Sequence, residues 1–195
     1  DYPITTKDKS VYNAINFSNN LLALLQEAGI KKVNLITESY GSTIGAYASK
    51  SERINKVVAV HPPILGTPLA WENLMELNLT KRQKIFAYLA NVLVNSEYGF
   101  QKDNAKQTDL RRVDLNKLIV VGSNLFRETE KSILKETYDI IFAISGMEND
   151  GVVIYNEEKF NKLGINYIRE EKPTNHEDAS HKESIEKAYK LTLKK

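Results

Sequence analysis

The run Val57-Val58-Ala59-Val60, entered by Lys56 and closed by Pro62-Pro63, constrains the fold more than any other stretch of this sequence. Consecutive apolar residues rich in valine match a strand covered on both faces, and such strands belong to parallel sheets layered with helices. The flanking sequence agrees. Lys32-Val33-Asn34-Leu35-Ile36-Thr37 is a second strand-like run, and Ile44, Ala46, Tyr47 and Ala48 between the two suggest a helix. Upstream, from about Lys9 to Ala28, Val11, Ile15, Leu21, Leu22, Leu25 and Ala28 recur at helical spacing, and Gly29 stands where a helix should stop. The first sixty residues therefore read helix, strand, helix, strand, the alternation of a parallel sheet with crossover helices.

From Ile64 to Val113 the rhythm breaks. Trp71 to Leu77 and Lys81 to Val94 look helical, and a polar piece follows from Ser96 to Thr108. An excursion of this length between strands fits a helical lid or cap insertion, or extra helices packed on the sheet. The sheet pattern then resumes. Leu118-Ile119-Val120-Val121 reads as a strand, with a buried helical turn as the alternative, and Ile140-Ile141-Phe142-Ala143-Ile144 reads as another strand. A short helix is expected at Glu157 to Leu163, a last strand at Ile165 to Ile168 and a final amphipathic helix at Ser184 to Leu193. The expected architecture is α/β, a mostly parallel sheet with flanking helices in a single domain over residues 1–195, its cap at about 64–113.

Hydrophobic residues make up 42% of the chain and charged residues 27%, ordinary for a globular protein, and the formal net charge is only +2. With acids and bases scattered, nothing points to nucleic acid or an anionic membrane as partner. There is no cysteine, which excludes disulfides, thiolate catalysis and cysteine-held zinc but leaves the compartment open. No apolar run approaches the ~20 residues of a membrane span. Asp1-Tyr2-Pro3-Ile4 has no signal-peptide character and reads as a mature, processed or fragment terminus.

Chemistry is suggested where the first strand meets the second helix, at Thr37-Glu38-Ser39-Tyr40-Gly41-Ser42. A serine on a sharp strand-to-helix turn is lifted above the sheet, with the helix's amino end and its N–H groups turned toward it. Crowding at such a turn calls for small neighbours, and Gly41 lies two residues on. These residues equally describe a serine capping a helix beside a glycine in a tight turn.

The run Val33 to Ala48 resembles the G-x-S-x-G nucleophile elbow of the α/β-hydrolases, in the form found in bacterial lipases and esterases. It departs from that pattern at Thr37, where glycine is usual, and at Glu38, where histidine is common. The β-branched Thr37 is expected to crowd the elbow. Further on, His61-Pro62-Pro63-Ile64-Leu65-Gly66-Thr67-Pro68-Leu69-Ala70 is similar to the lipase segment in which a proline-rich turn leads into G-T-P-L-A. Asn149-Asp150-Gly151-Val152-Val153 resembles the acid-bearing turn of the same family, behind the expected strand at 140–144. Alone it would read as an Asp-Gly turn. Glu148 is the fallback acid.

Of the three histidines, His61, His176 and His181, the resemblance places the base after the last strand. His61 then fails on chain order. His176, in Asn175-His176-Glu177-Asp178, is preferred, and His181, in Ala179-Ser180-His181, is the alternative.

What the resemblance implies is a serine hydrolase that cleaves carboxylic esters on small molecules or lipids through an acyl-enzyme. Ser39 would be the nucleophile, His176 the base, Asp150 its orienting acid and the Tyr40 N–H an oxyanion donor, with no metal or organic cofactor. A thioesterase, acyltransferase or amidase would use the same residues. A catalytically impaired binding protein of the same fold is a further reading, favoured by Thr37 and Glu38. The family's earlier strand and its loop bearing a second oxyanion donor have no counterpart here, so a preceding segment or a partner is expected to complete the sheet. Trp71, Leu74, Leu77, Phe86, Tyr88, Leu89 and Val92 fit either an acyl pocket or core.

Overall fold

The computed structural model describes residues 13–71, 73–95, 107–123, 133–172, 174–176 and 182–193. Four strands, β1 (Val33–Glu38), β2 (Ile54–Val60), β3 (Leu118–Gly122) and β4 (Asn166–Arg169), form one sheet in the order β1-β2-β3-β4. Every neighbouring pair is parallel, so each return of the chain runs outside the sheet. Helices α1 (Ala14–Glu27) and α2 (Ser39–Ala48) accompany the first strands, and α3 (Lys81–Asn95) lies in the excursion after β2. Helices α4 (Ile133–Ser145) and α5 (Glu157–Lys162) precede β4, and α6 (Lys182–Leu193) follows it.

The register sets the geometry of the site. Glu38 pairs with Val60, Val60 with Val121, and Gly122 with Arg169, so all four strands end along one rim. The residues that step off the strands at that rim are Ser39, His61, Ser123 and Glu170.

Alternation along β2 divides the core. Val57 and Ala59 turn into a cluster with Ala46 and Ala48 of α2, Ile54, Leu118, Val120 and Phe160. Val58 and Val60 turn the other way, onto Val121 and onto Ala188 and Leu191 of α6. The strand is thus sealed by a helix on each face, as its unbroken apolar run requires. Among the described residues no further strand pairs with the outer edge of β1, and Ile36 there is 38% exposed. Helix α1 begins at Ala14, capped by the Asn13 side chain on the Asn16 N–H at 2.9 Å, later than the apolar spacing from Lys9 predicts; residues 1–12 lie outside the described residues. Its end is where Gly29 predicts, at φ +68° just beyond the Ala28 cap.

Two expectations are corrected. Residues 140–144 form no strand: they are the second half of α4. Leu134, Thr137, Ile140 and Ile141 are buried on one side, at spacings of a helix face, whereas Phe142 is 45% exposed. A five-residue window of apolar residues cannot distinguish the two periods, and Phe142 made the helix look like a doubly buried strand. Trp71 to Leu77 is likewise no helix. Two single turns of tighter 3₁₀ geometry stand there and before it, Leu74–Glu76 and Pro68–Ala70, the latter capped by Thr67 with Pro68 at its first position.

The excursion has a cluster of its own, in which Leu69, Leu74, Leu79, Ala87 and Ala90 meet Ile140 and Ile141 of α4. Leu74 is fully buried and Leu77 and Phe86 pack against this cluster, while Trp71, Tyr88, Leu89 and Val92 are exposed. The polar piece at 96–106 lies outside the described residues.

The helical reading of residues 140–144 has a direct consequence in urea denaturation. Ile141→Ala is expected to cost about 2–5 kcal/mol, and Phe142→Ser about 1 kcal/mol or less. Comparable losses at both positions would restore a strand buried on two faces.

Candidate active site

Ser39 leaves β1 and opens α2 with φ +48°, a left-handed conformation that a side chain-bearing residue adopts only at a cost of about 1–3 kcal/mol. The cap position of α2 belongs to Glu38, which makes no side-chain capping bond, and Ser39 Oγ lies 2.7 Å from His176 Nε2. The hydroxyl is therefore not a helix cap. Tyr40 follows in the first turn, where backbone N–H groups point out of the helix's amino end. The Glu38 side chain is exposed.

The steric demand at this turn falls on a different glycine from the one the sequence suggests. A Cβ on Gly41 would meet nothing within 4 Å. A Cβ on Gly45, one turn further along α2, would stand 2.8 Å from Thr37 Cγ2 and 3.2 Å from Val57 Cγ1. The crowding expected of Thr37 is thus absorbed by Gly45, which lets the helix settle onto the strand that feeds it.

Asp150 arrives from the loop after α4 rather than from a strand end. An antiparallel bridge between Asn149 and Ile154 pinches this loop, and Gly151 takes φ +95° within it. Thr67 donates to the Val152 carbonyl, tying the loop to the segment that leaves β2. The His176 N–H donates to the Asp150 carbonyl at 2.9 Å, so the two residues are joined through backbone as well.

The Asp150 carboxylate is completely buried and accepts five hydrogen bonds. The N–H groups of Val152 and Val153 donate to Oδ1 at 2.9 and 2.7 Å. His176 Nδ1 at 2.9 Å, His61 Nδ1 at 2.9 Å and the Tyr155 hydroxyl at 3.1 Å converge on Oδ2. Burial pushes this carboxyl upward, but its pairing with His176, then with His61, outweighs it and holds Asp150 far below the usual carboxylate range. An ionised Asp150 only accepts, so His176 carries its proton on Nδ1 and presents Nε2 as acceptor to the Ser39 hydroxyl.

His61, Glu170 and Tyr155 were not singled out by the sequence, and His61 was set aside on chain order. His61 is fully buried, at φ +47°, with its Nε2 2.9 Å from Glu170 Oε2. Its burial favours the neutral ring, yet the hydrogen bonds and charges of Asp150 and Glu170 prevail and raise its pKa from 6.5 to about 9. Glu170 is lowered in turn: burial opposes this, and the hydrogen bond from His61 overcomes it. Tyr155 is pushed well above 10 by burial and by Asp150, which keeps its hydroxyl a donor. Gly122 makes room for that ring, since a Cβ there would stand 2.6 Å from it. The signal for His61 and Glu170 was positional. Each follows directly on a strand, as Ser39 does.

Glu148 is exposed, and His181 lies outside the described residues. The ligand atoms of His61, Asp150 and His176 fall within 4.8 Å of one another, a spacing also compatible with a cation. Here the two imidazole Nδ1 atoms are turned on the shared carboxylate oxygen as donors, and a metal would have to displace both protons. No described helix is long and apolar enough to cross a membrane.

The profile of the alpha/beta hydrolase fold family matches residues 3–175. The chain belongs to that family. No curated protein sequence matches this α/β-hydrolase. Among solved structures it is similar to the mature form of Bacillus licheniformis lipase BlEst2, with 18% identity, a TM-score of 0.51 and coverage of 84% of this chain and 65% of that one. It thus spans just under two thirds of that lipase's length. A proline iminopeptidase-related protein from Thermus thermophilus gives 13% identity, a TM-score of 0.50 and coverage of 95% and 72%. An alpha/beta fold family hydrolase from Bacillus anthracis gives 10%, 0.50, and coverage of 96% and 77%. At these identities the likeness concerns the fold.

Two stability measurements test this geometry. Gly45→Ala is expected to destabilise the protein by about 1–3 kcal/mol in urea, with Thr37→Ala recovering most of the loss, whereas Gly41→Ala leaves the midpoint nearly unchanged. The second concerns pH. Because His61 is raised from 6.5 to about 9, its contribution is complete below 6.5 and is lost as pH rises through 9. The gap in Tm between the wild type and His61→Gln should therefore narrow as pH is raised from 6.5 past 9. A constant gap would mean that His61 does not bind its extra proton in the folded state.

Proposed function

We propose that this α/β-hydrolase is a serine hydrolase that cleaves carboxylic esters through an acyl-enzyme. The observation that carries the reading is the continuous line Ser39 Oγ, His176, Asp150, with contacts of 2.7 and 2.9 Å. His176 Nε2 takes the proton of Ser39 as Oγ attacks the ester carbonyl, and Asp150 stabilises the imidazolium that results. The Tyr40 N–H, at the positive end of α2, receives the oxyanion of the tetrahedral intermediate. The imidazolium then protonates the departing alcohol, and a water activated by the same base releases the acid.

Several features support this reading. Ser39 combines a strained, positive φ with an Oγ 2.7 Å from His176 Nε2, the behaviour of a nucleophile rather than a cap. Asp150 is held ionised, against its burial, by its pairing with His176 and His61, so His176 has a fixed tautomer without further machinery. Residues 64–113, whose helices pack with α4 in a separate cluster, are read as the cap of this single domain. The same catalytic line serves thioesters and amides, and the choice of ester rests on the resemblance of the elbow and of Gly66-Thr67-Pro68-Leu69-Ala70 to lipase segments.

A fluorophosphonate probe should label the wild type covalently and leave Ser39→Ala unlabelled. With p-nitrophenyl esters of short and long acyl chains, kcat/KM should fall about ten-thousand-fold or more in Ser39→Ala and in His176→Ala. Labelling that persists without Ser39 would remove the nucleophile. Faster turnover of a matched thioester or anilide would reassign the substrate class and keep the triad.

A further inference from the structure

The acid of the proposed triad is held from two sides, and the second side is a histidine–carboxylate pair that the reaction itself does not use. We propose that His61 and Glu170 are positioning residues that extend the line Ser39, His176, Asp150 into a buried five-membered chain, in which a doubly protonated His61 braces Asp150 and Glu170 supplies the counter-charge. This proposal rests on the hydrolase reading for its catalytic consequence, though not for its structure.

The protonation follows from the number of acceptors around the ring. Asp150 Oδ2 already faces His176 Nδ1 and the Tyr155 hydroxyl, and Oδ1 faces two backbone N–H groups, so the bond to His61 Nδ1 takes its proton from the ring. Glu170 Oε2 also accepts from the Thr174 hydroxyl at 3.0 Å, and Lys187 Nζ lies 3.9 Å from Oε1, so this carboxylate too is an acceptor. Both ring nitrogens of His61 therefore donate, and the ring is an imidazolium.

The groups facing it from other elements are Asp150 and Tyr155 from the loop after α4, Glu170 after β4, and His176, whose ring centroid is 6.1 Å away. Lys187 of α6 acts through Glu170. The sum over Asp150, His61 and Glu170 is one negative charge, the charge a triad acid must offer its histidine. Without Glu170, the His61 cation would cancel the field of Asp150 at His176. Without His61, two buried carboxylates would face each other across a gap. The left-handed backbone of a fully buried His61 shows that the fold tolerates strain to hold the ring there.

The test uses histidine-labelled full chain and nitrogen NMR, with pH profiles of kcat/KM on the best p-nitrophenyl ester. In the wild type both His61 nitrogens should carry protons through pH 8. In Glu170→Gln the His61 titration should move down by more than one pH unit. The acid limb of kcat/KM should then move in opposite directions: up by about one unit in His61→Gln and down in Glu170→Gln, where the His61 charge is uncompensated. A bare His61 nitrogen at pH 7 in the wild type, or limbs that stay put while rates fall, would overturn the proposal and leave a structural role. If His61→Gln does not fold, the wild-type spectrum and the near-isosteric Glu170→Gln still decide it. A wild type that hydrolyses nothing but shows the imidazolium would sink the hydrolase reading alone.

Discussion

A single buried carboxylate holds the site together. Asp150 is removed from water entirely, and a bare carboxylate in that position would carry a desolvation cost of several kcal/mol. Five donors answer that cost, and between them they fix four parts of the chain. Val152 and Val153 fold the acid's own loop around it. Tyr155 anchors the chain that leaves the loop, His61 joins it to β2, and His176 joins it to the segment after β4. Asp150 therefore organises the rim of the sheet as much as it orients the His176 ring.

The fold was legible wherever a strand is buried on both faces, because an unbroken run of short apolar residues fits little else. It was less legible where one amphipathic helix carries two adjacent isoleucines. Ile140 and Ile141 face the same cluster, and only the buried Leu134 and Thr137 further back disclose the helical period. The error displaced the acid's support without displacing the acid. Asp150 was expected behind a strand and instead hangs from a loop pinned to Thr67, His176 and the Asn149–Ile154 bridge.

The candidate site was legible to the extent that it repeats a local motif. Ser39, Asp150 and His176 stand in short runs whose residue types reflect backbone geometry, and the structure brings their side chains into contact. His61 and Glu170 have no such run, because what defines them is the register of four parallel strands. Strand ends that align in space are distant in sequence, so a residue one step past a strand looks like any loop residue until the pairing is known. The glycines show the same limit. Gly41 lies in the motif, but the close approach is at Gly45, since contact with Thr37 and Val57 depends on how α2 lies across β1 and β2.

Stability alone does not account for the cluster at the rim. Buried ionic groups of this kind seldom stabilise a fold more than well-packed apolar residues of similar volume would. Two of its members, Ser39 and His61, also hold left-handed backbone that costs further free energy. The nearby apolar clusters on both faces of β2 show that the sequence can build a dry core at this sheet. At the rim it instead places two imidazoles, two carboxylates and a hydroxyl in a row. Such a row loses stability at either extreme of pH and yields, between them, one histidine nitrogen with a fixed tautomer aimed at one strained serine. That exchange is intelligible if the serine has a proton to give up.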